Sequence, residues 1–150
     1  MADCIFCKIV QGEIPSAKFW EDKDFLAILD IFPNTKGMSL VLTKRHYDSY
    51  AFGLPDAVYL ELMAASKKVA KLLEKALPVK RVSLVVEGMG VNHIHVKLYP
   101  MYGLKDKFEE TWAKQEVFFD KYEGYISTQL GPKANFDELK RLAEKIRNFK

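Results

Sequence analysis

Val91-Asn92-His93-Ile94-His95-Val96-Lys97-Leu98-Tyr99-Pro100 alternates aliphatic with polar residues, the pattern of a half-buried β-strand, and Pro100 closes it. Side chains on a strand point alternately to opposite faces, and next-nearest residues sit roughly 6.5–7 Å apart. Ile94, Val96 and Leu98 then share a core face, while His93, His95, Lys97 and Tyr99 share the other. Two imidazoles and an ammonium in one row on a rigid element make a candidate reactive site. The chain has only three histidines, and two fall in this row. Histidine is also the side chain best suited to nucleophilic or acid–base work near neutral pH. The competing reading is a half-exposed strand with solvent-facing histidines.

Working outward, Gly88-Met89-Gly90 predicts a short turn into this strand, and residues 81–87 its antiparallel partner. Upstream, Pro55 suits the first turn of a helix. Val58, Leu62, Ala65, Val69, Leu72, Leu73 and Leu77 follow at helical spacing until Pro78 ends the run. Residues 17–21, 25–30 and 38–43 read as three more strands, separated by the polar turn Asp22-Lys23-Asp24 and the cluster Pro33-Asn34-Thr35-Lys36-Gly37. Residues 4–10 predict one or two helical turns, with Gly12 just past the end.

Downstream, residues 108–119 fit either a helix or a surface loop. Residues 125–130 alternate like a strand. Asn135 and Glu138 form a capping box for a terminal helix. The expected fold class is α+β: a mostly antiparallel sheet of about five strands with one long helix and a C-terminal helix.

With 150 residues, the chain is expected to be a single domain, 1–150. A composition 49% apolar and 29% charged is that of a globular protein, not a disordered one. The net charge of +3 suits an anionic small molecule, and no dense basic block signals nucleic acid. The start does not read as a signal peptide, and no apolar run approaches the roughly 20 residues of a membrane span. The expected location is the cytoplasm, where Cys4 and Cys7 are half of a metal site or free thiols rather than a disulfide.

Three stretches together resemble one family. The opening from Cys4-Ile5-Phe6-Cys7 to Ile14-Pro15-Ser16, the segment from Ala27-Ile28-Leu29-Asp30 through Gly37-Met38-Ser39-Leu40 to Lys44-Arg45-His46, and His93-Ile94-His95-Val96-Lys97 are similar to the histidine triad (HIT) proteins. The resemblance spans about residues 4–100, so 1–100 is the expected family core and 101–150 an extension completing the domain.

The resemblance implies a two-layer α+β fold, a homodimer, and hydrolysis or transfer at the α-phosphate of a nucleotide. It places the attacking histidine at His95, with His93 beside it, and an acidic residue for the ribose hydroxyls at Asp30. Phe6, Ile28, Ile31 and Phe32 then offer an apolar slot for a base, with core packing as the alternative for each. Some relatives complete a structural zinc site with ligands at the positions of Cys4, Cys7, His46 and His93.

The chain departs from the family pattern in four places. Lys97 stands where a third His or a Gln is usual, Met38 where a His is common, and Thr43 where a Pro is common. The Gly-Gln element before the first His is absent; Asn92 is the candidate to contact phosphate in its place.

A nearby cation favours a neutral His95. Lys97 can also stabilise charge on the phosphoryl oxygens. As an ammonium it donates but cannot accept a hydrogen bond. The expected activity is hydrolysis of a dinucleoside polyphosphate or nucleoside phosphoramidate through a nucleotidyl-His95 intermediate. The alternatives are nucleotidyl transfer or nucleotide binding without turnover.

Overall fold

The computed structural model of the chain describes residues 3–128 and 132–136. The chain separates into two compact units, Met1–Glu109 and Glu110–Lys150.

The first unit holds helix α1 (Ile5–Gln11), strands β1 (Lys18–Glu21), β2 (Phe25–Leu29) and β3 (Ser39–Thr43), a 3₁₀ turn (Ala51–Gly53), helix α2 (Asp56–Ala76), and strands β4 (Arg81–Val85) and β5 (His95–Met101). One sheet runs β1-β2-β3-β5-β4, with every pairing antiparallel. The chain leaves β3 through α2, crosses to the edge as β4, and returns as β5 between β4 and β3.

Register divides the sheet into two faces. Ala27, Val41 and Val96 lie opposite one another across β2, β3 and β5. They bury against Leu62, Ala65, Val69 and Leu73 of α2. Each of these leucines, fully removed from water, contributes roughly 2–3 kcal/mol. The intervening rows turn the other way. Leu26, Leu42 and His95 form one row, and Ile28, Leu40 and Lys97 the next. Leu26, Ile28, Leu40 and Leu42 pack with Phe6 of α1. The short N-terminal helix therefore covers the face that carries His95.

Helix α2 runs for 21 residues with an apolar stripe, Asp56 in its first turn and Lys75 in its last, as the macrodipole favours. No helix among the described residues is long and apolar enough to cross a membrane.

The α+β architecture and the five strands agree with the sequence reading, and three details differ. His93 does not belong to the strand, which begins at His95. Its N–H turns back to the Val91 carbonyl, and that of Ile94 goes to Tyr47. Gly88-Met89-Gly90 is part of a longer connection spanning residues 86–94 rather than a tight hairpin turn. Residues 125–128 form no strand; residues 108–119 form neither helix nor strand, which is the loop alternative of the two readings. In the second unit, Phe119 and Tyr125 meet edge to face at 5.5 Å between ring centres. The expected terminal helix after Phe136, and residues 129–130 of the expected strand, lie outside the described residues.

Candidate functional site

His95 sits at the start of a central strand, beneath Phe6, whose ring meets the imidazole edge to face at 5.1 Å. It is 4% exposed. Its Nδ1 lies 2.7 Å from the carbonyl oxygen of His93. A carbonyl only accepts, so Nδ1 carries the proton and donates it there. Nε2 is left with its lone pair. Burial, the largest influence, holds the imidazole below the usual histidine range; the nearby Lys97 charge acts in the same direction. The hydrogen bond to His93 and the carboxylates of Glu87 and Asp30 act against it. A neutral ring with one lone pair is the state a nitrogen nucleophile requires.

His93 faces the opposite constraint. Its Nε2 is 2.8 Å from the Thr43 carbonyl and 3.2 Å from the Thr43 hydroxyl. Nε2 therefore carries the proton, and Nδ1 points its lone pair toward Cys4 Sγ at 3.4 Å and Cys7 Sγ at 3.6 Å. His46 Nδ1 is 3.3 Å from Cys7 Sγ. The four ligand atoms lie within 4.8 Å of one another. A zinc ion bound at about 2.3 Å to sulfur and 2.0–2.1 Å to nitrogen spaces its tetrahedral ligands about 3.3–3.8 Å apart. The donor set fits such an ion, and the Thr43 carbonyl would be the outer partner that fixes the tautomer of His93 as a ligand. Burial and the neighbouring Cys4 push the Cys7 thiol up.

Lys97 follows His95 on the same strand face. Its Nζ is 2.7 Å from Glu87 Oε2, an ion pair that the sequence reading missed. A half-buried lysine demands a carboxylate partner, but nothing in the order of residues distinguishes Glu87 from Asp30 for that role. Asp30 closes β2 by donating its N–H to Met38, and its Oδ1 accepts the N–H of Phe32. That bond uses one of the several lone pairs of a carboxylate. The charges of Lys97, Asp30 and Glu87 all act on His95 and also on Tyr99, whose phenol burial pushes up.

The family model of the HIT domain matches residues 11–103. The chain belongs to the HIT family. An uncharacterised HIT-like protein of Methanocaldococcus jannaschii is 39% identical over 104 residues, covering 66% of this chain and 79% of the relative. The adenosine 5'-monophosphoramidase of Saccharomyces cerevisiae is 35% identical over 121 residues, covering 80% and 76%. A crystal structure of a protein from Streptococcus mutans UA159 aligns with a TM-score of 0.71 at 34% identity, over 98% of this chain and 85% of that one.

The remaining expected residues of this HIT protein fall in four places. Phe6 is buried against both imidazoles, at 5.8 Å from His93 and 5.1 Å from His95. Ile31 and Phe32 are exposed beyond the end of β2, Phe32 at 85%. Ile28 belongs to the buried cluster under α1. Asn92 is engaged away from His95: its Oδ1 accepts from the Ser49 N–H, and its Nδ2 donates to Asp48. In the sequence Thr43 stands out only as a replacement for proline; its shorter contact with His93 uses the backbone carbonyl, which no residue type announces, with its hydroxyl beside it.

Proposed function

We propose that this HIT protein is a nucleotide phosphohydrolase that works at the α-phosphate through a covalent nucleotidyl-His95 intermediate. The observation that carries this reading is the bond from His95 Nδ1–H to the His93 carbonyl, which leaves Nε2 as the attacking atom. The relative named adenosine 5'-monophosphoramidase supports an adenine nucleotide as substrate.

In this scheme the ribose hydroxyls donate to Asp30, and Ile31 and Phe32 flank the base. Neutral Nε2 attacks phosphorus in line. The Nε2–P bond forms as the bond to the leaving group breaks, and the electron pair departs with that group. Lys97 stabilises the charge on the equatorial oxygens. Water then forms a P–O bond as the Nε2–P bond breaks and gives up a proton to the solvent, releasing nucleoside monophosphate and returning His95, its Nδ1–H still bonded to the His93 carbonyl, to its neutral state. His93 contributes through its carbonyl, which keeps His95 in one tautomer. Asn92 ties the loop before His93 to residues 48–49 rather than contacting the phosphate.

Cys4, Cys7, His46 and His93 would hold a zinc ion. A closed set of four protein ligands supplies a structural cross-link and no open coordination position. The homodimer is part of the same reading: β4 ends the sheet, and an edge strand presents backbone groups for pairing. Sedimentation measures it directly.

The test is intact-protein mass spectrometry after rapid mixing with adenosine phosphoramidate or a diadenosine polyphosphate. A mass increase of one adenylyl group, absent from His95→Ala, supports the nucleophile. Monophosphate as product supports hydrolysis; diphosphate formed on adding inorganic phosphate supports transfer instead. Binding with neither adduct nor turnover identifies a non-catalytic nucleotide-binding protein.

A further inference from the structure

Lys97 is an unusual occupant of its position. It sits inside a central strand, opposite Leu40 on one side and Val85 on the other. Its side chain is only 23% exposed, and that of its partner Glu87 only 10%. The more buried member is thus the carboxylate. A charge withdrawn from water this far persists only when paired.

The chain also builds a support for Glu87. The next residue, Gly88, has φ +78° and lies against the Ser49 carbonyl, where an added Cβ would come within 2.6 Å of the oxygen. Asn92 bonds both Ser49 and Asp48, and the Ile94 N–H bonds the Tyr47 carbonyl. The loop from β4 to β5 is therefore stapled to residues 47–49 at three points. Glu87 is held by that loop, and Lys97 is held by Glu87.

We infer that Glu87 is a positioning residue that fixes the Lys97 ammonium beside His95, and that the pair makes the site selective for leaving groups that depart as anions. This rests on the nucleotidyl-His95 reading.

The chemistry distinguishes two kinds of leaving group. When a polyphosphate departs, the Nε2–P bond forms, the P–O bond breaks, and the electron pair stays on oxygen. No proton needs to move, and a fixed cation stabilises the charge as it develops. An ammonium has three N–H donors, and the bond to Glu87 uses one of them. When an amine departs, the P–N bond breaks and the nitrogen must take up a proton. If Lys97 gives that proton it loses its charge, and Glu87 is left as a half-buried carboxylate without a counter-ion. The pair opposes that step and assists the first.

The experiment compares diadenosine tetraphosphate with adenosine phosphoramidate on the full-length protein, with kcat and KM measured separately. The wild type is expected to prefer the tetraphosphate. Lys97→Met should lower kcat for the tetraphosphate by about 100-fold, the scale of losing one charge-stabilising donor, and lower it for the phosphoramidate by a clearly smaller factor, because there only the stabilisation of the equatorial oxygens is lost and not that of a departing anion. Glu87→Gln should lower kcat for the tetraphosphate roughly 10- to 100-fold, as displacement of a reacting-site group does, with KM nearly unchanged. Glu87→Asp should recover part of the loss.

The double variant Glu87→Gln, Lys97→Met leaves no unpaired charge and serves if Glu87→Gln folds poorly. Its substrate ratio should equal that of Lys97→Met alone, because neighbours in one ion pair are not additive. Equal losses on both substrates, or an additive double variant, would overturn the inference while leaving the nucleophile in place. No adenylylated protein with either substrate would overturn the underlying reading, and this inference with it.

Discussion

The carbonyl oxygen of His93 lies 2.7 Å from Nδ1 of His95. One histidine's backbone thus fixes the tautomer of the other, while its own ring points away toward Cys4 and Cys7. Positioning of the proposed nucleophile and assembly of the cysteine–histidine cluster pass through a single residue.

Replacing His95 with Gln removes the lone-pair nitrogen while keeping a polar side chain of similar reach. Turnover should fall on the order of 10⁴–10⁶-fold, the range seen when a nucleophile is removed, with nucleotide affinity changed only a few-fold. Steady-state kinetics and calorimetric titration measure the two separately. Full turnover in this variant would exclude His95 as nucleophile.

Metal content tests the tetrad. The purified protein should carry one zinc per chain, and Cys7→Ser should lose it. A loss of about 3 kcal/mol of stability would lower Tm by roughly 6–12 °C. Elemental analysis and thermal melting on the same samples decide it; unchanged zinc and unchanged Tm would sink the assignment.

Thr43→Val keeps the carbonyl that accepts from His93 Nε2 but removes the hydroxyl 3.2 Å from it. Metal affinity should fall by about tenfold, the low end for loss of an outer partner. Competition with a coloured chelator gives the ratio of affinities. No change would assign the orienting role to the carbonyl alone.

Gly88 and Gly90 are separated by one residue and should behave differently. A Cβ at Gly88 meets the Ser49 carbonyl and is placed on a left-handed backbone, while one at Gly90 meets nothing within 4 Å. Gly88→Ala should cost about 2–4 kcal/mol, and Gly90→Ala less than about 0.5 kcal/mol. Chemical denaturation of both variants compares them, and equal stabilities would argue against this loop geometry.

Much of this arrangement was visible in the residues because it follows from periodicity. The two-residue alternation around Ile94, Val96 and Leu98 located the buried face of β5, and the 3.6-residue spacing from Val58 to Leu73 located α2. The Cys4–Cys7 spacing and the scarcity of histidine, read with the family resemblance, marked the tetrad. What stayed hidden depends on the chain folding back on itself. The strand pattern carried His93 into β5, whereas a local turn at Val91 holds it outside. Glu87 finds Lys97 across the β4–β5 connection, and Asn92 turns toward Asp48 and Ser49, because residues 47–49 pack against that loop.

Helix α1 has seven residues and no side-chain bond at its N-terminal cap. A helix that short is not stable by itself in water, so its order is borrowed from what Phe6 and Cys7 touch. The backbone amides of Lys8, Ile9 and Val10 therefore act as a built-in gauge. Their hydrogen-exchange rates should register any loosening of the cluster beneath them before the sheet or α2 begins to open.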